Sequence, residues 1–117
     1  MSWLARVTEE RHGDVAIAVV DGEVDASNAA DIAERLRQLL TNRSAALVVD
    51  LSPTSYLDSA GINLLFDLGT ELGDRQQQLH IVVPPAAPIA RAISFTGLDI
   101  AVPTHATREA ALEQATR

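Results

Sequence analysis

The 117-residue sequence predicts a single α/β domain over residues 1–117, built on a central, mainly parallel mixed sheet of about four to five strands with about four helices. Three observations predict this fold class. Short branched apolar runs alternate with segments of helical periodicity, 47% of the residues are hydrophobic, and the length leaves no room for a second domain.

The first half of the chain contains two buried strands. The run VAIAVV at residues 15–20 predicts a strand that ends at the Asp-Gly pair 21–22, and the residues before Gly13 suit an edge strand. The run AALVVDL at residues 45–51 is almost continuously apolar, which is typical of a central strand covered on both faces.

Two helices separate and follow these strands. Residues 29–40 place apolar side chains three and four apart, as an amphipathic helix requires. A second helix opens with DSAG at residues 58–61 and ends at Gly73 and Asp74. The residues suited to cap the first helix are Asp25, Ser27 and Asn28.

The second half repeats the alternation in shorter units. Residues 79–83 predict a third strand stopped by two prolines, and residues 86–95 predict a short helix. The run LDIAVP at 98–103 predicts a weak fourth strand, and Thr107 caps a closing helix. Because crossovers in parallel sheets are right-handed, the expected loops 21–28 and 52–61 gather at one sheet edge.

Composition excludes several classes of function. The net charge of −7 would repel a nucleic-acid backbone, and one Trp, one Tyr and two Phe are too few for a base-stacking surface, so no direct nucleic-acid partner is expected. The absence of cysteine removes thiolate chemistry. No membrane-length apolar run or secretion signal is present, so a cytoplasmic protein without a membrane partner is expected.

Catalytic and cofactor motifs are weak. Ser59 lacks the first glycine of the G-x-S-x-G nucleophile turn, and His12, His80 and His105 come with no orienting carboxylate. No metal-ligand spacing and no phosphate-binding glycine loop occurs, so we expect no enzyme activity, no metal and no cofactor. The missing loop also weakens a nucleotide-binding alternative.

The position of Ser59 is compatible with two roles, phosphate acceptor and helix cap. It stands where a predicted helix begins, and the unpaired amides and positive dipole end of a helix can accommodate an anion such as a phosphate. Phosphorylation would add about −1.5 to −2 charge beside Asp58. The alternative is that Ser59, or Asp58 before it, simply caps the helix.

Three blocks of the sequence resemble a known family. LVVDLSPTSYLDSAGINLLFDL, the upstream GEVDASNAADIAERL and the downstream ISFTGLDIAVPTHATREAAL are similar, in order and interval, to the signatures of STAS domains of bacterial anti-sigma factor antagonists. The resemblance spans nearly the whole chain and implies a STAS-like domain.

The resemblance also implies a function. Ser59 would accept phosphate from a serine kinase that doubles as an anti-sigma factor; the unphosphorylated chain would bind that kinase and free the sigma factor, and a PP2C-type phosphatase would reset it. Asp25, Asp58 and Gly61 would belong to the docking surface. Ala60 replaces a second serine found in many relatives.

The second helix is more apolar than one buried face requires, so part of it is expected to meet the partner. Ile62 and Leu64 are assigned to that surface, with Leu64 and Leu68 as the expected exposed strip. The alternative function is that of a STAS subunit in a stressosome-like or lipid-transport assembly, structural and without a phosphorylation switch.

Overall fold

The computed structural model describes residues 4–41 and 43–116; the expected domain limits at residues 1 and 117 lie outside them. Within these residues the chain forms six strands and five helices. In chain order they are β1 (Ala5–His12), β2 (Val15–Val24), α1 (Ala29–Gln38), β3 (Ala46–Asp50), β4 (Thr54–Leu57), α2 (Ser59–Asp74), β5 (Gln78–Val82), α3 (Ala90–Thr96), α4 (Leu98–Ala101), β6 (Thr104–His105) and α5 (Arg108–Ala115).

One mixed sheet holds all six strands. Its order is β1-β2-β3-β5-β6, and β4 pairs with β2 beyond the end of β3. Only β1 runs antiparallel; the other pairings are parallel. The predicted α/β class, the mainly parallel sheet and the edge strand before Gly13 are confirmed, and β4 brings the sheet to one strand more than expected.

The core lies on both faces of the central strands. All five residues of β3 are buried, as its continuous apolar run predicts. Leu47 and Val49 belong to the large cluster under α1 and α2, whereas Val48 belongs to a smaller cluster under α5. Because side chains alternate along the strand, β3 contributes to the apolar core on both faces of the sheet.

Strand β2 continues past the expected stop at residues 21–22. Gly22 adopts φ +121°, a β-bulge interrupts the register between Gly22 and Glu23, and the strand then pairs with β4 as far as Val24. A Cβ at Gly22 would collide with the carbonyl oxygen of Leu4. The glycine thus lets the strand bend instead of ending it.

The segment expected as a loop at residues 52–61 contains β4. Its Thr54 is buried and donates its hydroxyl proton to the carbonyl oxygen of Val20 at 2.6 Å. The strand has only four residues, two buried and two exposed, which is too short for a period to show in the sequence.

The prediction that Leu64 and Leu68 form an exposed strip on α2 is wrong. Leu64 is 9% exposed and Leu68 is 0% exposed. The helix contacts β4, β5, α1 and α4, so neighbours cover more of its circumference than a single sheet face would. Its excess of apolar residues is core.

The weak strand expected at residues 98–103 is also wrong. Gly97 takes the left-handed conformation, φ +79°, that ends α3, and the chain re-enters a helix, α4, whose Leu98 is fully buried while Ile100 is exposed. The strand that follows is only Thr104–His105.

The closing helix α5 begins as predicted, with the Thr107 hydroxyl accepting a hydrogen bond from the Ala110 N–H at 3.1 Å. Arg108 fastens this helix to the sheet. Its Nη1 lies 2.9 Å from Glu10 Oε1, and its Nη2 lies 3.0 Å from Asp50 Oδ2. One guanidinium therefore connects β1, β3 and α5.

Two histidines far apart in sequence meet between β5 and β6. His80 Nδ1 and His105 Nε2 share a hydrogen bond at 3.0 Å, and His80 Nε2 lies 2.7 Å from Gln78 Oε1. Burial lowers the pKa of His80, and the neighbouring His105 lowers it further. Burial also lowers the pKa of His105.

We expect this histidine pair to make the fold acid-sensitive. Because both folded pKa values lie below the ordinary value of 6.5, the unfolded chain binds more protons, so stability is full above about pH 6.5 and falls as the pH drops through the folded values. Thermal midpoints measured at about pH 7.5 and about pH 5.5 should show the loss. The lowered pKa values of Asp25 and Glu71 start from 3.8 and 4.5, so their effects fall at lower pH.

The variant His105→Gln serves as the control, because it removes one of the two titrating groups. Its midpoint should change less with pH than that of the parent chain. Equal midpoints for the parent at the two pH values would contradict the expectation.

No helix in the described ranges is long and apolar enough to cross a membrane.

Candidate functional site

The site is built where two neighbouring strands end. Val24 of β2 pairs directly with Leu57 of β4, and the Asp58 N–H donates to the Val24 carbonyl oxygen at 3.2 Å. The chain leaves the sheet at Asp25 after one strand and at Asp58 after the other. The expectation that the two acidic segments gather at one sheet edge is thus met by the strand pairing.

Asp58 caps helix α2. Its backbone is extended, and its Oδ1 accepts hydrogen bonds from the N–H groups of Ala60 at 2.9 Å and Gly61 at 3.2 Å. Of the two capping residues that the sequence allows, the structure uses Asp58. Ser59 is consequently the first residue of the helix, and its hydroxyl is not needed for capping.

Ser59 is exposed, and its Oγ has no hydrogen-bond partner among the residues that the structure describes. An incoming protein can therefore reach this hydroxyl. The amides of Ala60 and Gly61 are already engaged by the Asp58 carboxylate. A phosphate on Ser59 would have to compete with that carboxylate for the helix N-terminus, contrary to the simple expectation that the amides are free to receive it.

Gly61 seats the first turn of α2 against the strand ends. A Cβ at this position would collide with Leu57 Cδ1 and lie 3.1 Å from Val24 Cγ1. Ile62 is 4% exposed and Leu64 is also buried, so neither is displayed on the surface. The glycine and these two side chains therefore fix where Ser59 stands.

Asp25 is held as a carboxylate by Ser27. The Ser27 hydroxyl and N–H donate to Asp25 Oδ1 at 2.5 and 2.8 Å, and these bonds lower the pKa of Asp25 below its usual range. Both acidic residues that follow the strand ends thus accept local hydrogen bonds. Asp25 nevertheless stays partly exposed to solvent.

Asn28 orders this loop in a way that its sequence position does not reveal. It is the N-cap residue of α1, but its side chain makes no capping hydrogen bond. Instead its Oδ1 accepts from the Asp25 N–H at 2.9 Å, and its Nδ2 donates to the Glu23 carbonyl oxygen at 2.8 Å. The side chain is fully buried and ties the loop to the end of β2.

Nothing in the described part of the chain turns Ser59 into an activated nucleophile. No histidine hydrogen-bonds to it there, and the imidazoles of His80 and His105 are engaged with each other. No group of three or more His, Asp or Glu side chains in the described residues could hold a metal ion. The geometry is that of an accessible, unactivated hydroxyl next to the Asp58 carboxylate that caps its helix.

Comparisons with known proteins identify the family of the chain. The family model of the STAS domain matches residues 6–111. The anti-sigma-F factor antagonist RsfB of Mycobacterium tuberculosis is 32% identical over 93 residues, which cover 80% of this chain and 75% of that protein. The anti-sigma-B factor antagonist of Listeria monocytogenes is 30% identical over 90 residues, covering 77% of this chain and 78% of that protein.

A solved structure has the same fold over nearly the whole chain. The crystal structure of an anti-sigma factor antagonist from Mycobacterium paratuberculosis superposes with a TM-score of 0.86 at 29% identity, covering 97% of this chain and 95% of that one. The family model, the relatives and the shared architecture all point the same way: this chain belongs to the STAS domain family.

Proposed function

We propose that the chain is an anti-sigma factor antagonist whose binding is switched by phosphorylation of Ser59. In its unphosphorylated form it binds an anti-sigma factor that is also a serine kinase, and the sigma factor is released. A PP2C-type phosphatase returns the phosphorylated chain to the binding form. The single observation that carries the proposal is an exposed Ser59 hydroxyl relieved of capping by Asp58.

The names of the relatives support the partner class. Proteins 30% and 32% identical to this chain are antagonists of anti-sigma factors. The proposed docking surface consists of Ser59 with Asp25 and Asp58 around it. Gly61, Ile62 and Leu64 are buried, so in this proposal they position the first turn of α2 and do not touch the partner.

Electrostatics supports release on phosphorylation. A phosphate adds about −1.5 to −2 charge, and it would stand beside Asp58 on a chain whose net charge is already −7. Since Asp58 already uses two of the first-turn amides, the dianion gains little neutralisation from the helix. Its bulk, its hydration and its repulsion of acidic partner groups would all oppose rebinding.

The test is phosphate transfer from a candidate kinase. The chain is incubated with ATP and the anti-sigma serine kinase encoded nearest to its gene, and the modified residue is mapped by mass spectrometry. We expect one phosphate on Ser59, none on Ser59→Ala, and unchanged transfer to Ser55→Ala, which removes another exposed serine four positions earlier. Phosphate at a different residue, or no transfer by any such kinase, would contradict the proposal.

A further inference from the structure

The outer edge of β1 carries backbone groups that the sheet does not use. The Leu4 carbonyl oxygen accepts a hydrogen bond from the Glu23 N–H at 2.8 Å, so the backbone of residue 4 points towards β2. Gly22, which lies opposite Ala5 in the β1–β2 register, instead donates its N–H to the Pro53 carbonyl oxygen on the side of β2 away from β1. Orientation alternates along an antiparallel strand. The residues of β1 whose N–H and C=O point out of the sheet are therefore Ala5, Val7, Glu9 and Arg11.

The side chains of β1 divide between the two faces of the sheet. Val7 packs on the cluster under α1, and Arg35 of α1 brings Nη2 to 3.4 Å from the Val7 carbonyl oxygen. Glu10 lies on the opposite face, where it pairs with Arg108 of α5. Odd-numbered side chains of β1 thus share a face with α1, and even-numbered ones share a face with α5.

We propose that two copies of this chain associate through their β1 strands, antiparallel and centred on Thr8, into one continuous two-fold symmetric sheet. In this register Val7 lies opposite Glu9 of the second copy, and both are outward-facing, so each pair can exchange two N–H···O bonds. Arg6 lies opposite Glu10 of the second copy. The strand is exposed along most of its length, which leaves the edge accessible.

Charge complementarity supports the second copy as the occupant. Arg6 and Glu9 have no ion-pair partner within residues 4–41 and 43–116. On the α5 face, Arg6 meets Glu10 of the other copy, whose Oε2 is not the atom held by Arg108. On the α1 face, Glu9 of the other copy arrives opposite Val7, where the Arg35 guanidinium already lies. Both kinds of ion pair occur twice because the axis is two-fold.

Neighbouring registers lose this match. The backbone orientation allows shifts of the axis by one residue along β1. An axis on Glu9 would place Glu9 against its own copy, and directly opposed like charges are destabilising. An axis on Val7 would put Arg6 opposite Thr8 and leave Glu10 without the second arginine. The charges thus select Thr8 as the centre.

The pairing uses β1 and α1 and none of the residues assigned to the phosphorylation switch. It therefore goes beyond the proposed function, and a dimer would display two copies of the Ser59 surface. Failure of either proposal would leave the other standing.

The test is sedimentation of the whole chain over a wide range of concentrations. We expect a mass of two chains at the highest concentrations. Glu9→Arg and Arg35→Glu should each raise the dissociation constant at least about tenfold, and the double variant, which restores opposite charges, should recover the parent value. The matched control Asp67→Arg makes the same charge change at an exposed position of α2 and should dimerise like the parent.

A second measurement checks the backbone. The amides of Val7 and Glu9 should exchange slowly with solvent at high concentration and rapidly on dilution. Glu9→Pro removes one outward N–H without taking a donor from the β1–β2 ladder, and it should also block association. A monomer at every concentration, or a dimer that responds to neither charge reversal, would overturn the proposal.

Discussion

Ser59→Asp should weaken binding to the anti-sigma partner by at least about tenfold relative to Ser59→Ala, which corresponds to about 1.4 kcal/mol. The added carboxylate stands next to Asp58 on an exposed surface and brings charge and hydration into the proposed interface. The phosphorylated chain carries roughly twice that charge and should bind more weakly still. Titration calorimetry with the purified partner measures all three affinities.

Two controls separate charge from bulk and from folding. Ser59→Asn has nearly the size of the aspartate variant but no charge, and it should lose less affinity. Ser59 is exposed and its side chain makes no hydrogen bond within the described residues, so Ser59→Asp should change the free energy of unfolding by less than about 0.5 kcal/mol. Equal affinities for the alanine and aspartate variants would contradict the switch.

Leu68→Ala should lower the free energy of unfolding by about 3 kcal/mol. The side chain is 0% exposed in the cluster between α2 and the sheet, so its removal leaves a cavity that the neighbours fill only in part. Urea denaturation followed by circular dichroism gives the value. This loss would be a large share of the total stability of a small domain.

The same variant tests whether α2 presents its leucines to a partner. Asn63→Ala, at an exposed position on the same helix, is the matched control and should change stability by less than about 0.5 kcal/mol. The folded fraction of Leu68→Ala should bind the partner with the affinity of the parent. A Leu68→Ala chain as stable as the parent would contradict the assignment of Leu68 to the core.

The sequence predicts best what depends on a strong local pattern. Strand β3 is a continuous apolar run and is buried throughout. The start of α2 is recognisable because Asp58 precedes a long apolar segment, and Asp58 does cap it. Asp25 and Asp58 could be brought together because parallel strands end at a common edge. These features require only local spacing and the handedness of the fold.

The features that the sequence did not reveal depend on tertiary contacts. The branched residues of LDIAVP suggest a strand, but Leu98 is anchored in the core as the start of α4 after the left-handed Gly97. Short apolar runs are ambiguous between helix and strand. Leu64 and Leu68 were predicted to be exposed because the sequence does not show how many elements pack around α2. The contact between His80 and His105 spans 25 positions and has no local signal.

The ion pairs of Arg108 with Glu10 and Asp50 have a consequence for the order in which the chain folds during synthesis. Arg108 is 98 positions from Glu10, so this bond cannot close while most of the chain is still being translated. During that time the apolar side chains beneath α5, including Val15, Ile17 and Val48, have no cover. Exposed apolar surface makes an incompletely folded chain prone to aggregation. The layer beneath α5 can therefore close only after Arg108–Ala115 has been synthesised.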